Sequence, residues 1–169
     1  MENHNKVRST WVLLALKAIV IFTLLWLSFG AFVGFRRVTD VSMNGRINDG
    51  DFILFNRIGK NLHIGDIVIY SKDNSEFMSE IVGEEDDLIT LNDDGYLLVN
   101  GVIVSNAPVY DSTLDEANPF GDGFRVPADS FFVLNSNYEE MKDSRTFGAI
   151  KESSIKGSVI ALLLRTRSF

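Results

Sequence analysis

The sequence predicts a mainly β domain of the kind carried behind one N-terminal transmembrane helix. Two observations lead there. The run "AIVIFTLLWLSFGAFVGF", Ala18 to Phe35, has 18 residues and no charge. As a helix it would span roughly 27 Å, close to the hydrocarbon thickness of a bilayer. From Val38 onward the apolar residues fall instead in short β-branched and aromatic runs divided by turn residues. No long segment there keeps a 3.6-residue apolar period.

The apolar run is extended on its N-terminal side by "WVLLAL", with Lys17 between them. A lysine near the interface can snorkel, and Trp11 suits the interface itself. The expected division is a cytoplasmic leader over 1–10, an anchor over 11–35 and an extracytoplasmic domain over 38–169. Lys6, Arg8 and Lys17 before the run, against Arg36 and Arg37 after it, favour an N-terminus inside. The rival reading is a cleaved signal peptide ending at Ser28–Gly30. The apolar residues continue past that point to Phe35, which favours a retained anchor.

The strands read in order as "DFILFN", "DIVIYS", "EFMSEIV", "DLITL", "YLLVNGVIV", "FFVLN" and "GSVIALLLR". Gly65-Asp66, Asp93-Asp94-Gly95, Asn100-Gly101 and Gly121-Asp122-Gly123 supply the turns. Asn100-Gly101 between two apolar runs is the clearest hairpin signal. Ser105 to Pro127 reads as one long irregular loop. No repeat and no second domain is visible.

Composition narrows the function. With no cysteine there is no thiol nucleophile, disulfide or thiolate metal site. His4 and His63 form no cluster and read as solvated side chains. Asp93-Asp94-Gly95 lacks the spaced ligands of a calcium loop and reads as a turn. No metal and no cofactor is expected. From residue 38 on there are 11 basic and 22 acidic residues, so nucleic acid is not an expected partner. "EEDD", Glu84–Asp87, reads as a solvated loop.

Together the motifs resemble the bacterial type I signal peptidases. They are the N-terminal anchor, "SMNGRINDGD" (Ser42–Asp51), "IGDIVIY" (Ile64–Tyr70), "IVG" (Ile81–Gly83), "YLLVNG" (Tyr96–Gly101), Val126-Pro127 and "DSRTFG" (Asp143–Gly148). Each is weak alone, but their order and spacing are specific. The resemblance implies a mostly β fold with a membrane-facing apolar surface and a Ser-Lys catalytic dyad. Ser42 falls at the nucleophile, followed by Met43, and Gly50-Asp51 closes that motif. Asp143 and Arg145 fall at the charged pair that braces the site. Asp40, Val41 and Met43 fall in the substrate groove and oxyanion region.

The departures gather on the chemistry. A hydroxyl needs a base to take its proton. In the family that base is a buried, desolvated lysine. Here Ser79 stands at its position, with Glu80 in place of the following arginine, and a serine hydroxyl is no base near neutral pH. Met141 stands where the family has a small hydroxyl residue that holds the lysine. Asp40 stands where it has a serine or glycine at the oxyanion hole, and a carboxylate would repel a developing oxyanion. Gly45-Arg46-Ile47 and Asn135-Ser136-Asn137-Tyr138 replace two further family motifs.

Lys60, Lys72 and Lys142 are the alternative bases if the alignment slips around Ser79. Without the resemblance, Ser42 would read as a turn serine and Asp143–Arg145 as a surface ion pair. The resemblance extends to degenerate family members of Gram-positive bacteria that assist assembly of sortase-linked pili. It implies a plasma-membrane protein that holds exported precursors or pilin subunits without efficient cleavage. The alternative is a working signal peptidase with Ser42 as nucleophile. Self-cleaving Ser-Lys repressors are disfavoured by the membrane span and the acidic domain.

Overall fold

The computed structural model describes residues 2–39, 47–57, 61–105, 107–109, 120, 123–137 and 141–164. The chain opens with helix α1 (Glu2–Phe32), in which Trp11–Phe32 is long and apolar enough to cross a membrane. Among the described residues its large side chains are exposed, Trp11 68% and Trp26 71%, and Phe22 and Trp26 meet ring to ring along the helix.

The helix ends at Phe32 rather than at Phe35. Val33, Gly34 and Phe35 belong to strand β1 (Val33–Arg37), which pairs along its whole length with β2 (Phe52–Asn56). The Arg57 amide donates to the Phe32 carbonyl and extends that ladder to the helix end. Gly34 lies opposite Phe55, whose ring covers it; a Cβ at Gly34 would come within 2.2 Å of that ring. The glycine lets the aromatic lie flat across the neighbouring strand.

The remaining elements are β3 (Ile67–Lys72), β4 (Ser75–Gly83), β5 (Leu88–Leu91), β6 (Leu97–Val99), β7 (Val102–Ile103), β8 (Phe124–Arg125), β9 (Ser130–Leu134), α2 (Ser144–Phe147), β10 (Ile150–Lys151) and β11 (Ile155–Leu164). They form a seven-stranded sheet, β1-β2-β11-β3-β4-β9-β10, and a four-stranded sheet, β7-β6-β5-β8. The fold is mainly β, as expected. Each of the seven expected runs holds a strand, and the Asn100-Gly101 hairpin joins β6 to β7 with both residues at positive φ. The stretch from Ser105 to Pro127 is not wholly irregular. Ser105 and Val109 are buried, and Phe124 and Arg125 pair with β5. Phe124 also packs against Phe120 and Phe132.

Alternation along the strands buries both faces of the main sheet. Val68 and Tyr70 of β3 join Ile81, Val133 and Ile155 in one core. Ile69 and Met78 join Val38, Ile47 and Ile53 in another. Ile89, Leu97, Val99, Val126 and Phe132 pack beneath the small sheet. Ser79, between Met78 and Glu80, therefore shares a face with Ile81. Apolar residues are also left outside: Phe35 stacks on Phe52 with ring centroids 5.2 Å apart, and Ile160, Leu162 and Leu163 of β11 are exposed.

Gly157 holds β11 in place at the sheet centre. Its pairing with β3 is irregular between Ile155 and Gly157, and a Cβ there would lie 2.1 Å from the Asn56 carbonyl oxygen. The obstacle is backbone, so the strands would have to part. Gly157→Ala is expected to destabilise the domain by roughly 1–3 kcal/mol, towards the upper end. Urea unfolding followed by circular dichroism measures it, and an unchanged midpoint would contradict this account.

Candidate active site

The segment bearing Ser42 is clamped at its base. The Val38 amide donates to the Asp51 carbonyl at 2.8 Å, and the Gly50 amide donates to the Val38 carbonyl at 2.9 Å. Gly50 has φ +87°, a conformation glycine adopts freely. The fully buried Asp51 accepts from the Asn48 amide at 2.9 Å through Oδ2. The Gly50-Asp51 pair thus turns the chain back onto the end of β1. Asp40, Val41, Ser42 and Met43 lie outside the described residues, as does Lys60.

Ser79 is fully buried in β4. Its hydroxyl donates to Asn135 Oδ1 at 2.6 Å and lies 3.2 Å from the Tyr70 hydroxyl. Tyr70 donates to the Lys142 carbonyl at 3.3 Å. Register explains the first meeting: Val68 faces Ser79 and Tyr70 faces Phe77, so Tyr70 and Ser79 are diagonal neighbours on one sheet face. Among the described residues, no buried side-chain polar atom lacks a partner.

The network continues into the Asp-Ser-Arg turn. Asp143 caps α2, accepting from the Arg145 amide at 3.0 Å through Oδ1 and from the Asn135 amide at 2.9 Å through Oδ2. The Arg145 guanidinium donates to the same carboxylate at 2.8 Å through Nη2 and 2.9 Å through Nε, and to the Val109 carbonyl at 3.2 Å. Ser144 Oγ accepts from the Val133 amide at 2.9 Å, tying α2 to β9. The side chains of Arg145 and Asp143 are 2% and 0% exposed. This is a buried ion pair, not a surface one.

The partners found for Ser79 are a phenol and a carboxamide, neither a base near neutral pH. Among the described residues, no lysine amine is a hydrogen-bond partner of Ser79. Lys142 contributes its carbonyl and is exposed, and Lys72 is half-buried at the end of β3. Met141 is 47% exposed. Sequence reasoning missed Tyr70 and Asn135. Both sit in quoted motifs, and Tyr70 was legible only through the register of β3 against β4.

A cleft opens between β1 and β4, lined by Ile69 and Met78 from the sheet face opposite Ser79. β1 is an end strand, and β9 pairs with β4 only over Glu80–Gly83. Among the described residues Ser75–Phe77 therefore has no strand on that side. The two strands face each other over a small cavity of about 30 Å³ lined by Val38, Ile53, Ile69 and Met78, with Arg36 and Glu76 ion-paired at its mouth.

The class so defined is a mainly β domain joined to an apolar N-terminal helix, built on a buried Asp-Ser-Arg turn. The chain belongs to the signal peptidase family S26: the family model described as "Signal peptidase, peptidase S26" matches residues 8–164. It is 28% identical over 125 residues to the "Inactive signal peptidase IA" of Staphylococcus aureus strain Mu50, covering 69% of this chain and 71% of the relative. It is 29% identical over 140 residues to the "Signal peptidase IB" of the same strain, covering 70% and 71%. A crystal structure of a signal peptidase I from Enterococcus faecalis V583 aligns with TM-score 0.45 and 22% identity over 60% of this chain and 98% of that one.

Proposed function

We infer that this protein is a membrane-anchored signal peptidase relative that binds exported precursors without cleaving them efficiently. One observation carries the reading: the residue at the family's lysine position, Ser79, is buried in a closed network with Tyr70 and Asn135. Ser79 therefore offers no base at the family's lysine position. Asp40 at the oxyanion region works against the same reaction. Asp143 and Arg145 keep a bracing role that needs no turnover. The similarity to the "Inactive signal peptidase IA" of Staphylococcus aureus supports the reading.

A groove can bind without a dyad. An extended peptide adding between β1 and β4 would draw on main-chain hydrogen bonds and on the apolar cavity beneath. Val41 and Met43 would line it. Pilin subunits awaiting assembly are the partners we favour, as one kind of exported precursor.

The test is turnover. Detergent-solubilised protein is expected to leave a signal-peptide substrate intact near neutral pH, and Ser42→Ala is expected to support surface display of polymerised pilin as well as the wild type does. Cleavage at roughly 1–1000 per second, abolished by Ser42→Ala, would establish the second reading, a working signal peptidase. The similarity to "Signal peptidase IB" favours that alternative.

Topology gives a separate expectation. The helix would remain attached, with leader 1–10 inside and the domain from residue 38 outside the plasma membrane. A reporter joined after Phe169 should be active only outside. A new N-terminus at Ala31, seen by mass spectrometry, would mean that the helix is a cleaved leader instead.

A further inference from the structure

We propose that the Arg36–Glu76 ion pair is a clasp across the peptide groove, which an incoming strand must open. The proposal rests on the groove reading above and adds a regulatory contact to it. Arg36 lies on β1 and Glu76 on β4, two strands that are not hydrogen-bonded neighbours in the sheet. Their side chains nonetheless meet, so the pair bridges the gap that an added strand would occupy. Beneath it lie Ile53, Ile69 and Met78, buried and apolar.

The pair is of a kind that opens readily. Its side chains are 41% and 44% exposed, and ion pairs in such positions contribute little and are screened by salt. Closed, it covers an apolar floor and occupies the space between the strand edges. Open, it frees both edges for main-chain pairing. The occupant is an extended peptide with a small side chain over the cavity, because about 30 Å³ admits little more than a methyl group.

Binding of a synthetic peptide tests the clasp. The probe is a fluorescein-labelled signal-peptide end with alanine at −3 and −1, titrated by anisotropy against the full chain in detergent. Arg36→Ala and Glu76→Ala are each expected to bind it about threefold to fivefold more tightly than the wild type. The swapped pair Arg36→Glu with Glu76→Arg should return to wild-type affinity. Raising sodium chloride from about 50 mM to about 500 mM should tighten the wild type and leave the single variants unchanged. Equal binding by all four proteins would leave the groove standing and remove the clasp. Weaker binding by Arg36→Ala alone would make Arg36 a peptide contact and also remove it. No binding by any of the four would overturn the groove reading, and the clasp with it.

Discussion

Asp143→Ala is expected to destabilise the domain by about 3–5 kcal/mol, the range for breaking a buried ion pair from one side. Small domains are stable by only about 5–15 kcal/mol, so much of the fold would be lost. The Arg145 guanidinium would remain buried without the carboxylate that balances its charge. The Asn135 amide would lose its acceptor and α2 its cap. Arg145→Ala is the milder change, because the Asp143 carboxylate keeps the Asn135 and Arg145 backbone amides as donors. The double variant should be no worse than Asp143→Ala, since the stranded cation is then absent. Urea unfolding of all three in detergent, followed by circular dichroism, gives the order. If Arg145→Ala is the worse, or the two effects add, the pair does not work as a unit.

The ion pair shows where the sequence was legible. Strand existence followed from period-2 patterning, because one face of each run must be buried, and turns followed from Asn-Gly and Gly-Asp chemistry. β1 was hidden because Val33, Gly34 and Phe35 continue the apolar composition of the helix. Only pairing with β2 distinguishes them, and pairing is not local. β8 and β10 have two residues each, too few to show a period. Asp143 and Arg145 were identified through a motif, while their burial depended on Val109, brought from 36 residues away. The acidic run Glu84–Asp87 also does more than meet solvent: Glu84 accepts from the Ile64 amide, Glu85 from the Asp129 amide and Asp87 from Asn100 Nδ2.

The lysine position illustrates the same division. That Ser79 replaces a base is visible in the sequence. That the surroundings have been rebuilt around a serine is visible only in space. A lysine site that had merely lost its amine would leave neighbouring polar groups without partners. Here Tyr70 and Asn135 close on the hydroxyl, and the described residues contain no orphaned buried side-chain polar atom. A satisfied network of this kind favours one arrangement over its neighbours.

Restoring the lysine is therefore expected to fail as a single change. Ser79→Lys would push a four-carbon stem and an amine into a space already filled by Tyr70 and Asn135, in a position with no exposure. Overpacking of this kind costs about 1–3 kcal/mol. Burial would add to that by disfavouring the ammonium, lowering the pKa of a fully buried lysine by up to about 3–5 units. The sign follows from linkage. A folded-state value below the unfolded one makes the variant least stable at pH below the folded value. That part of the penalty shrinks as pH rises towards the unfolded value near 10.4. The stability gap between Ser79→Lys and the wild type should thus narrow between about pH 7 and pH 10, while a gap due to packing alone would stay flat. Turnover of a signal-peptide substrate should remain undetectable in the single variant. Any recovery should require Asp40→Ser and Met141→Ser in addition, because a base cannot compensate for a carboxylate at the oxyanion position. If Ser79→Lys alone cleaves the substrate, and Ser42→Ala removes that activity, then only the base was missing and the closed network is no barrier to catalysis.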